Sequence, residues 1–358
     1  MRIDKVRKMI KTKHLDAALI TDRTNIRFLC GYSGSNGLLL ITPNKTIFFT
    51  DFRYKTQAPQ EVKGAEIIFP KMGISLYEEL AERPEIKTLS NIGFEKSLPY
   101  FALEILKNIL PAKIEWRPME DFLSKMRAVK NPQEIDKIRE AVRAAETGLK
   151  ATLPHLKPGI VERDFAAELE YNMRKAGAEK NSFDTIVVSG LRSAIVHGIA
   201  ADKVIEAGDF VTIDYGAFVD GWASDITRTF IMGEPTAKQR EIYELVYSAQ
   251  ASAIKAARAG ISGMKLDKIA RDIIDSAGYA EFFGHGLGHG LGLLVHDSPR
   301  VSSRAENILP VNSIITIEPG IYIPEFGGVR IEDDVLILED GCEVLTSLPK
   351  RIEEIIIE

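Results

Sequence analysis

DFVTIDYGAFVDGWASDITRTF, residues 209–230, reads as a β-hairpin that carries two of its acids to one point. Asp220-Gly221 is a preferred pair for a two-residue type I′ turn. A turn closed there sets Val219 opposite Trp222, Gly216 opposite Asp225 and Asp214 opposite Thr227. Side chains alternate faces with period two, so Asp214 shares a face with Gly216 and hence with Asp225. The two carboxylates become diagonal neighbours, roughly 7 Å apart at the backbone, with the glycine leaving room beside them. On an outward face they are ordinary solvated charges; on an inward face they repel unless something cationic lies between.

VNSIITIEPGIYIPEFGGVRIEDDVLIL, residues 311–338, reads as a second hairpin, with Gly327-Gly328 near its turn and Glu318 and Glu332 on its arms. Its register stays open, because Asp333 and Asp334 compete with Glu332 for an inward position. FFGHGLGHGLGLLVHD, residues 282–297, holds three of the chain's six histidines. His285 and His289 have the four-residue spacing of helical zinc-protease histidines. The flanking glycines Gly284, Gly286, Gly288, Gly290 and Gly292 argue against a helix, and no glutamate follows the first histidine. An extended segment is expected instead, whose glycines let backbone and substrate come close to a bound ion. The GxGxxG spacing of a dinucleotide loop is not met. Four carboxylates with His289 make an oxygen-rich set suited to a pair of Mn²⁺, Co²⁺, Fe²⁺ or Zn²⁺ ions, whose charge they offset.

Outward from these motifs, residues up to about 120 alternate helical and strand-like patterns. A helix near 3–13 leads into DAALI; GLLLIT and TIFFT follow, then helices near 73–83 and 100–109 with NIGFE between them. That is an α/β domain. MRAVKNPQEIDKIREAV opens something new: Asn131 caps a helix, Pro132 fits its first turn and Glu134 completes a capping box. The boundary is placed near 125, giving domains 1–125 and 126–358. Within the second, GIVERDFAAELEYNMRKAG (159–177) and GISGMKLDKIARDIIDSAG (260–278) have equal length and matching ends. Each follows a long helical segment and precedes a strand-like stretch leading to a histidine, FDTIVVSG before His197 and EFFGHG before His289. Two half-domains sharing one sheet, with the site between them, are expected.

Composition narrows the chemistry. The 358 residues are 45% apolar and 27% charged with net charge −5, so no nucleic-acid surface is expected. Lys5, Arg7, Lys8, Lys11 and Lys13 interleave with Ile3, Val6, Met9 and Ile10 at helical spacing and read as a solvated helix face. No apolar run approaches the ~20 residues of a membrane span, and no signal-peptide stretch is seen, which points to a cytoplasmic protein without membrane contact. Cys30 and Cys342 show no CxxC spacing, so a metal must use histidine and carboxylate. GYSGS lacks the last glycine of a GxSxG serine elbow. His14 and His155 are read as ordinary surface or core residues.

Taken together, IDYG, SDITRTF, GHGLGHGLGLLVHD, IEPGIY and GVRIED resemble the motifs of the pita-bread metallopeptidases, in the aminopeptidase P and prolidase branch, and the resemblance spans essentially the whole chain. It implies a creatinase-like α/β N-terminal domain and an α+β pita-bread C-terminal domain with an internal pseudo-twofold repeat. It implies two divalent ions, Mn or Co before Zn or Fe, bridged by Asp225 and Glu332, with Asp214 completing one and His289 and Glu318 the other. Glu318 would also move the proton from the attacking water to the leaving nitrogen. His197 and His296 would hold the substrate and its carbonyl oxygen, and His285 would stand beside them. Leu294 departs from the pattern, since relatives often carry an acid there.

The implied reaction is cleavage of the Xaa-Pro bond at the N-terminus of proline-containing peptides, as in aminopeptidase P. The alternative is an Xaa-Pro dipeptidase, in which Arg300 and Arg330 grip the substrate carboxylate in forked geometry; equally, Arg330 supports the ligand carboxylates and Arg300 is a rim charge. A non-catalytic peptide-binding module is disfavoured because no ligand is missing. The first domain separates the chain from methionine aminopeptidases, and by resemblance it helps close the site and build a homodimer.

Overall fold

The computed structural model describes residues 2–358, which form two compact units, the first ending at Leu123 and the second running Ser124–Glu358. In the first, six strands are ordered Glu66–Ile68, Thr46–Phe49, Leu38–Ile41, Ala17–Ile20, Asn91–Glu95 and Glu115–Met119. Ala17–Ile20 is parallel to Asn91–Glu95 and antiparallel to Leu38–Ile41. Ala17–Ile20 and Leu38–Ile41 are continuous apolar runs, buried at every position, as strands covered on both faces are. The helix Arg2–Thr12 buries Ile3, Val6, Met9 and Ile10, which leaves its lysines on the outer face. Tyr100–Ile109 packs Ala102 and Leu106 into the same core as Leu19, Leu40 and Ile92.

The second unit opens on Pro132–Thr152, whose N-terminus carries the reciprocal Asn131–Glu134 capping box. The duplicated segments fold alike. Helices Glu162–Lys175 and Gly263–Ser276 start and end 101 positions apart. Gly159 and Gly177 flank the first and Gly260 and Gly278 the second, all four with the positive φ that suits glycine. The bridges Val161↔Val204 and Ser262↔Ile308 precede them at the same offset. Each helix packs on a longer one, Pro132–Thr152 or Ala237–Ala256. Phe165 and Leu169 from the first copy share one core with Leu266 and Ile274 from the second.

The first hairpin has the register its turn dictates, Val219↔Trp222 and Asp214↔Thr227, with Asp220 and Gly221 at φ 48° and 72° as a type I′ turn requires. It is not one ladder, however. Phe210–Tyr215 and Ile226–Met232 belong to a four-stranded sheet, while Ala217–Val219 and Trp222–Ala223 belong to a three-stranded one. The switch falls at Gly216 and Asp225. A Cβ at Gly216 would lie 2.0 Å from the Ser224 carbonyl oxygen, so this glycine admits a close backbone crossing rather than leaving space beside the acids, contrary to expectation.

The second hairpin is built the same way. Ile317 pairs with Asp333, and Gly320 with Arg330, so the register places Glu318 opposite Glu332 at the switch between two sheets. Its turn is 324–326; Gly327-Gly328 begin the return strand Gly327–Arg330 instead. A Cβ at Gly328 would meet the Ser193 carbonyl at 2.4 Å. The two hairpins then lie against each other. Glu332 N–H donates to Thr227 O at 3.1 Å and Asp225 N–H to Asp334 Oδ2 at 3.1 Å. Arg228 and Asp333, 1% and 0% exposed, form an ion pair of 2.7 Å at the crossing. Arg228 also donates to the carbonyls of Thr227, Glu332 and Leu348. Burial alone would lift the Asp333 pKa, but Arg228 and Lys350 hold it well below the usual carboxylate range.

Removing one partner of a buried pair strands the other. Arg228→Met is expected to cost the second unit about 3 kcal/mol in urea unfolding; a loss below about 1 kcal/mol would show that Lys350 alone satisfies Asp333.

Candidate active site

Where each hairpin changes sheets, backbone pairing lapses, and the acids at that level turn into a cavity of about 530 Å³. Asp214, Asp225, Glu318 and Glu332 line it with His197, His285, His289, His296 and Arg330. Of the residues expected at the site only Arg300 stands apart, exposed on the strand Asp297–Val301. The cavity is graded. Asp214, Asp225 and Glu332 are buried at its floor, while His197 and His296 are exposed at its mouth. Leu294, at 38% exposure, is not among the lining residues.

One ligand atom each from Asp225, His289 and Glu332 lies within 4.8 Å of the others, a group that could hold a metal ion. His289 Nε2 is 3.6 Å from Asp225 Oδ2 and 3.4 Å from Glu318 Oε1. Threonines fix these side chains. Thr227 Oγ1 donates to Glu332 Oε2 at 2.6 Å, and Thr316 Oγ1 donates to Glu318 Oε1 at 3.0 Å while accepting the His289 N–H at 3.1 Å. The glycines around His289 let three strands close on it: a Cβ at Gly288 would lie 2.1 Å from Thr316 O, and one at Gly290 2.0 Å from Ser298 O. Their use is thus backbone packing more than room for substrate, although Gly286 and Gly288 do line the cavity.

The electrostatics ask for a cation. Burial first, then the neighbouring acids, pushes Asp225 and Glu332 well above the usual carboxylate range. Burial also raises Glu318 to about 8, with Arg330 opposing and Asp214 adding to the shift. His289 is lowered to about 4, by burial first and by His296 second, so its ring is neutral at pH 7. Nδ1 donates to Gly290 O at 3.2 Å, which leaves the Nε2 lone pair facing carboxylate oxygens. Asp214 Oδ1 is buried without a hydrogen-bond partner. Lone pairs turned on one another in a buried place, with an orphaned acceptor beside them, are a poor arrangement by themselves and a good one around divalent ions.

Arg330 is fully committed. Its Nη2 donates to Asp214 Oδ2 at 2.6 Å, Nη1 to Tyr322 Oη at 2.8 Å and Nε to Thr227 Oγ1 at 3.1 Å. Tyr322 in turn meets His285 Nε2 at 2.9 Å. His285 is lowered to about 4, chiefly by burial, and its Nδ1 faces the Gly286 carbonyl at 2.8 Å; the neutral ring therefore accepts from Tyr322 at Nε2. Sequence reasoning missed Tyr322, Thr227 and Thr316. Each sits on a strand beside a recognised acid, and period-two alternation from Glu318 would have put Thr316 and Tyr322 on its face.

The model of metallopeptidase family M24 matches residues 136–339, and that of the creatinase/prolidase N-terminal domain matches residues 2–129. The chain is 42% identical to a Pyrococcus horikoshii protein called Xaa-Pro dipeptidase, covering 98% of both chains. Among solved structures it is similar to an Xaa-Pro dipeptidase from Bacillus anthracis (TM-score 0.95, 39% identity, 99% of both chains). It is also similar to an X-Pro aminopeptidase from Thermotoga maritima (TM-score 0.90, 38% identity, 99% of both).

Ions that relieve the uncompensated acids stabilise the folded chain by mass action. Adding Mn²⁺ at about 100 times its dissociation constant to chelator-stripped protein should contribute about 2.7 kcal/mol, a rise of roughly 5–10 °C in Tm for a unit of this size. An unchanged melting curve would contradict ion binding at these residues.

Proposed function

The chain belongs to metallopeptidase family M24 and has a creatinase/prolidase N-terminal domain, and from that premise we propose that it is an Xaa-Pro dipeptidase. It is a metal-dependent peptidase. The observation that carries the reading is the gathering of Asp225, His289 and Glu332 at one point, with Asp214 and Glu318 in the same cavity. Of the two expected specificities, the names of the relatives support the dipeptidase one better than the aminopeptidase P one, since two Pyrococcus relatives are called Xaa-Pro dipeptidase.

In this reading Asp214, Asp225, His289, Glu318 and Glu332 would hold two divalent ions of the Mn²⁺, Co²⁺, Fe²⁺ or Zn²⁺ kind that the oxygen-rich donor set suits, and these would supply Lewis acidity and a water of lowered pKa. The protein's own groups do the rest. Glu318 takes the proton of the attacking water and delivers it to the departing imide nitrogen. His296 and His197, at the mouth, hold the carbonyl oxygen as it gains charge and the substrate beside it. An imide bond to proline offers no N–H, so recognition must fit the ring; Phe183, Ile186, Val196 and Ile199 give the cavity an apolar wall for it. Arg330 is spent on Asp214 and Tyr322, keeping the floor acids oriented. A carboxylate clamp in this reading would rest on Arg300, which lies outside the cavity lining on the strand that follows His296.

With Mn²⁺ present, kcat/KM for Ala-Pro should exceed that for Ala-Pro-Ala by at least about tenfold, the margin expected when a charged contact of 1.4 kcal/mol or more is lost. Comparable turnover of both would restore the aminopeptidase reading, and turnover of neither by protein holding its ions would leave only peptide binding.

A further inference from the structure

His296 stands on an irregular stretch of the cavity wall. Residues 291–296 form neither helix nor strand. The strand after them, Asp297–Val301, meets Gly288–Gly290 through a shifted register, with Gly288↔Val301 and Gly290↔Asp297. This loosely laddered segment is fastened from outside the cavity. Arg127 Nε donates to Asp297 Oδ2 at 2.9 Å and Nη2 to Asp297 Oδ1 at 2.8 Å, and the two side chains are only 8% and 2% exposed. Asp297 Oδ1 also accepts the Ser298 N–H at 2.8 Å. At the other end Ala223 N–H donates to Gly292 O at 2.9 Å and Leu291 N–H to Ile314 O at 3.0 Å, with buried Lys130 packed nearby, its Cε 3.3 Å from where a Cβ on Gly292 would lie. Its own backbone N–H donates to Asn312 O at 2.9 Å. No residue of 124–130 lines the cavity.

A forked guanidinium–carboxylate pair shielded from water fixes distance and direction together, which a lysine cannot reproduce. Asp297 is the residue next to His296, so whatever holds that carboxylate also holds the start of the imidazole's backbone. We infer that Arg127 is a positioning residue for the hydrolysis, setting through Asp297 the place of the His296 ring, 4.3 Å from that of His289. This assignment rests on the peptidase reading above, in which His296 serves the carbonyl oxygen. The metal-holding acids lie on other strands; His289 is the one assigned ligand beside this segment, through the Gly290↔Asp297 pair, so bound metal is measured alongside kcat.

The test is a double-mutant cycle in the full-length Mn²⁺-loaded enzyme with Ala-Pro as substrate. Arg127→Lys, which keeps the charge and loses the fork, should lower kcat by roughly ten- to a hundredfold, as a misplacement of about 1 Å does. KM and bound metal should stay near wild type. In a His296→Ala background the same substitution should add less than about twofold, because the two residues act as one unit. Equal losses in both backgrounds would overturn the inference, and an inactive wild type would instead remove the peptidase reading. A second readout does not depend on turnover: in imidazole NMR spectra of Zn²⁺-loaded protein, Arg127→Lys should shift the His296 signal, identified by its disappearance in His296→Ala, and spare that of His197. A His296 signal that stays in place would equally overturn the inference.

Discussion

The crossing of the two hairpins is the constraint on which the cavity depends. Ile226–Met232 carries Asp225 at its edge, and the 327–337 arm carries Glu332; the acids meet only because these arms lie side by side. Arg228 pins the crossing by satisfying Asp333 and four backbone carbonyls at once, those of Thr227, Glu332, Leu348 and Pro349. A buried guanidinium is costly unless all its donors are met, and here the strand geometry meets them. The arrangement is therefore self-selecting: a slip of one residue would turn Asp225 or Glu332 to the opposite face and leave Arg228 without its acceptors.

Much of this was legible in the chain. The Asp220-Gly221 turn settled the first hairpin, because a two-residue turn leaves no freedom in register. The matched glycines of the two repeats marked helices that do fold alike, and the Asn131–Glu134 box marked where Pro132–Thr152 begins. The second hairpin resisted for a local reason. Its loop is three residues long, and Gly327-Gly328 resemble a turn although they serve a close approach to Ser193. Only the paired arms distinguish Glu332 from Asp333 and Asp334, whose side chains go instead to Arg228 and to the Asp225 N–H.

Glycine was the residue most easily misread. At Gly216, Gly288 and Gly290 the missing side chain admits a neighbouring carbonyl, not a ligand. From sequence both uses look the same, since each asks only for the absence of a Cβ. The supporting hydroxyls of Thr227, Thr316 and Tyr322 were hidden for a related reason: β-branched and aromatic residues belong in strands anyway, and nothing in their identity says that a hydroxyl is engaged.

The repeat has a bearing on how this architecture can change. Its two copies contribute helices to a single interior, so neither is a module that can be lifted out and replaced while the other persists. Yet they are not interchangeable: Asp214 and Asp225 come from one copy, His289, Glu318 and Glu332 from the other. On the peptidase reading, the asymmetry of the present set would present a substrate with unlike groups from the two copies.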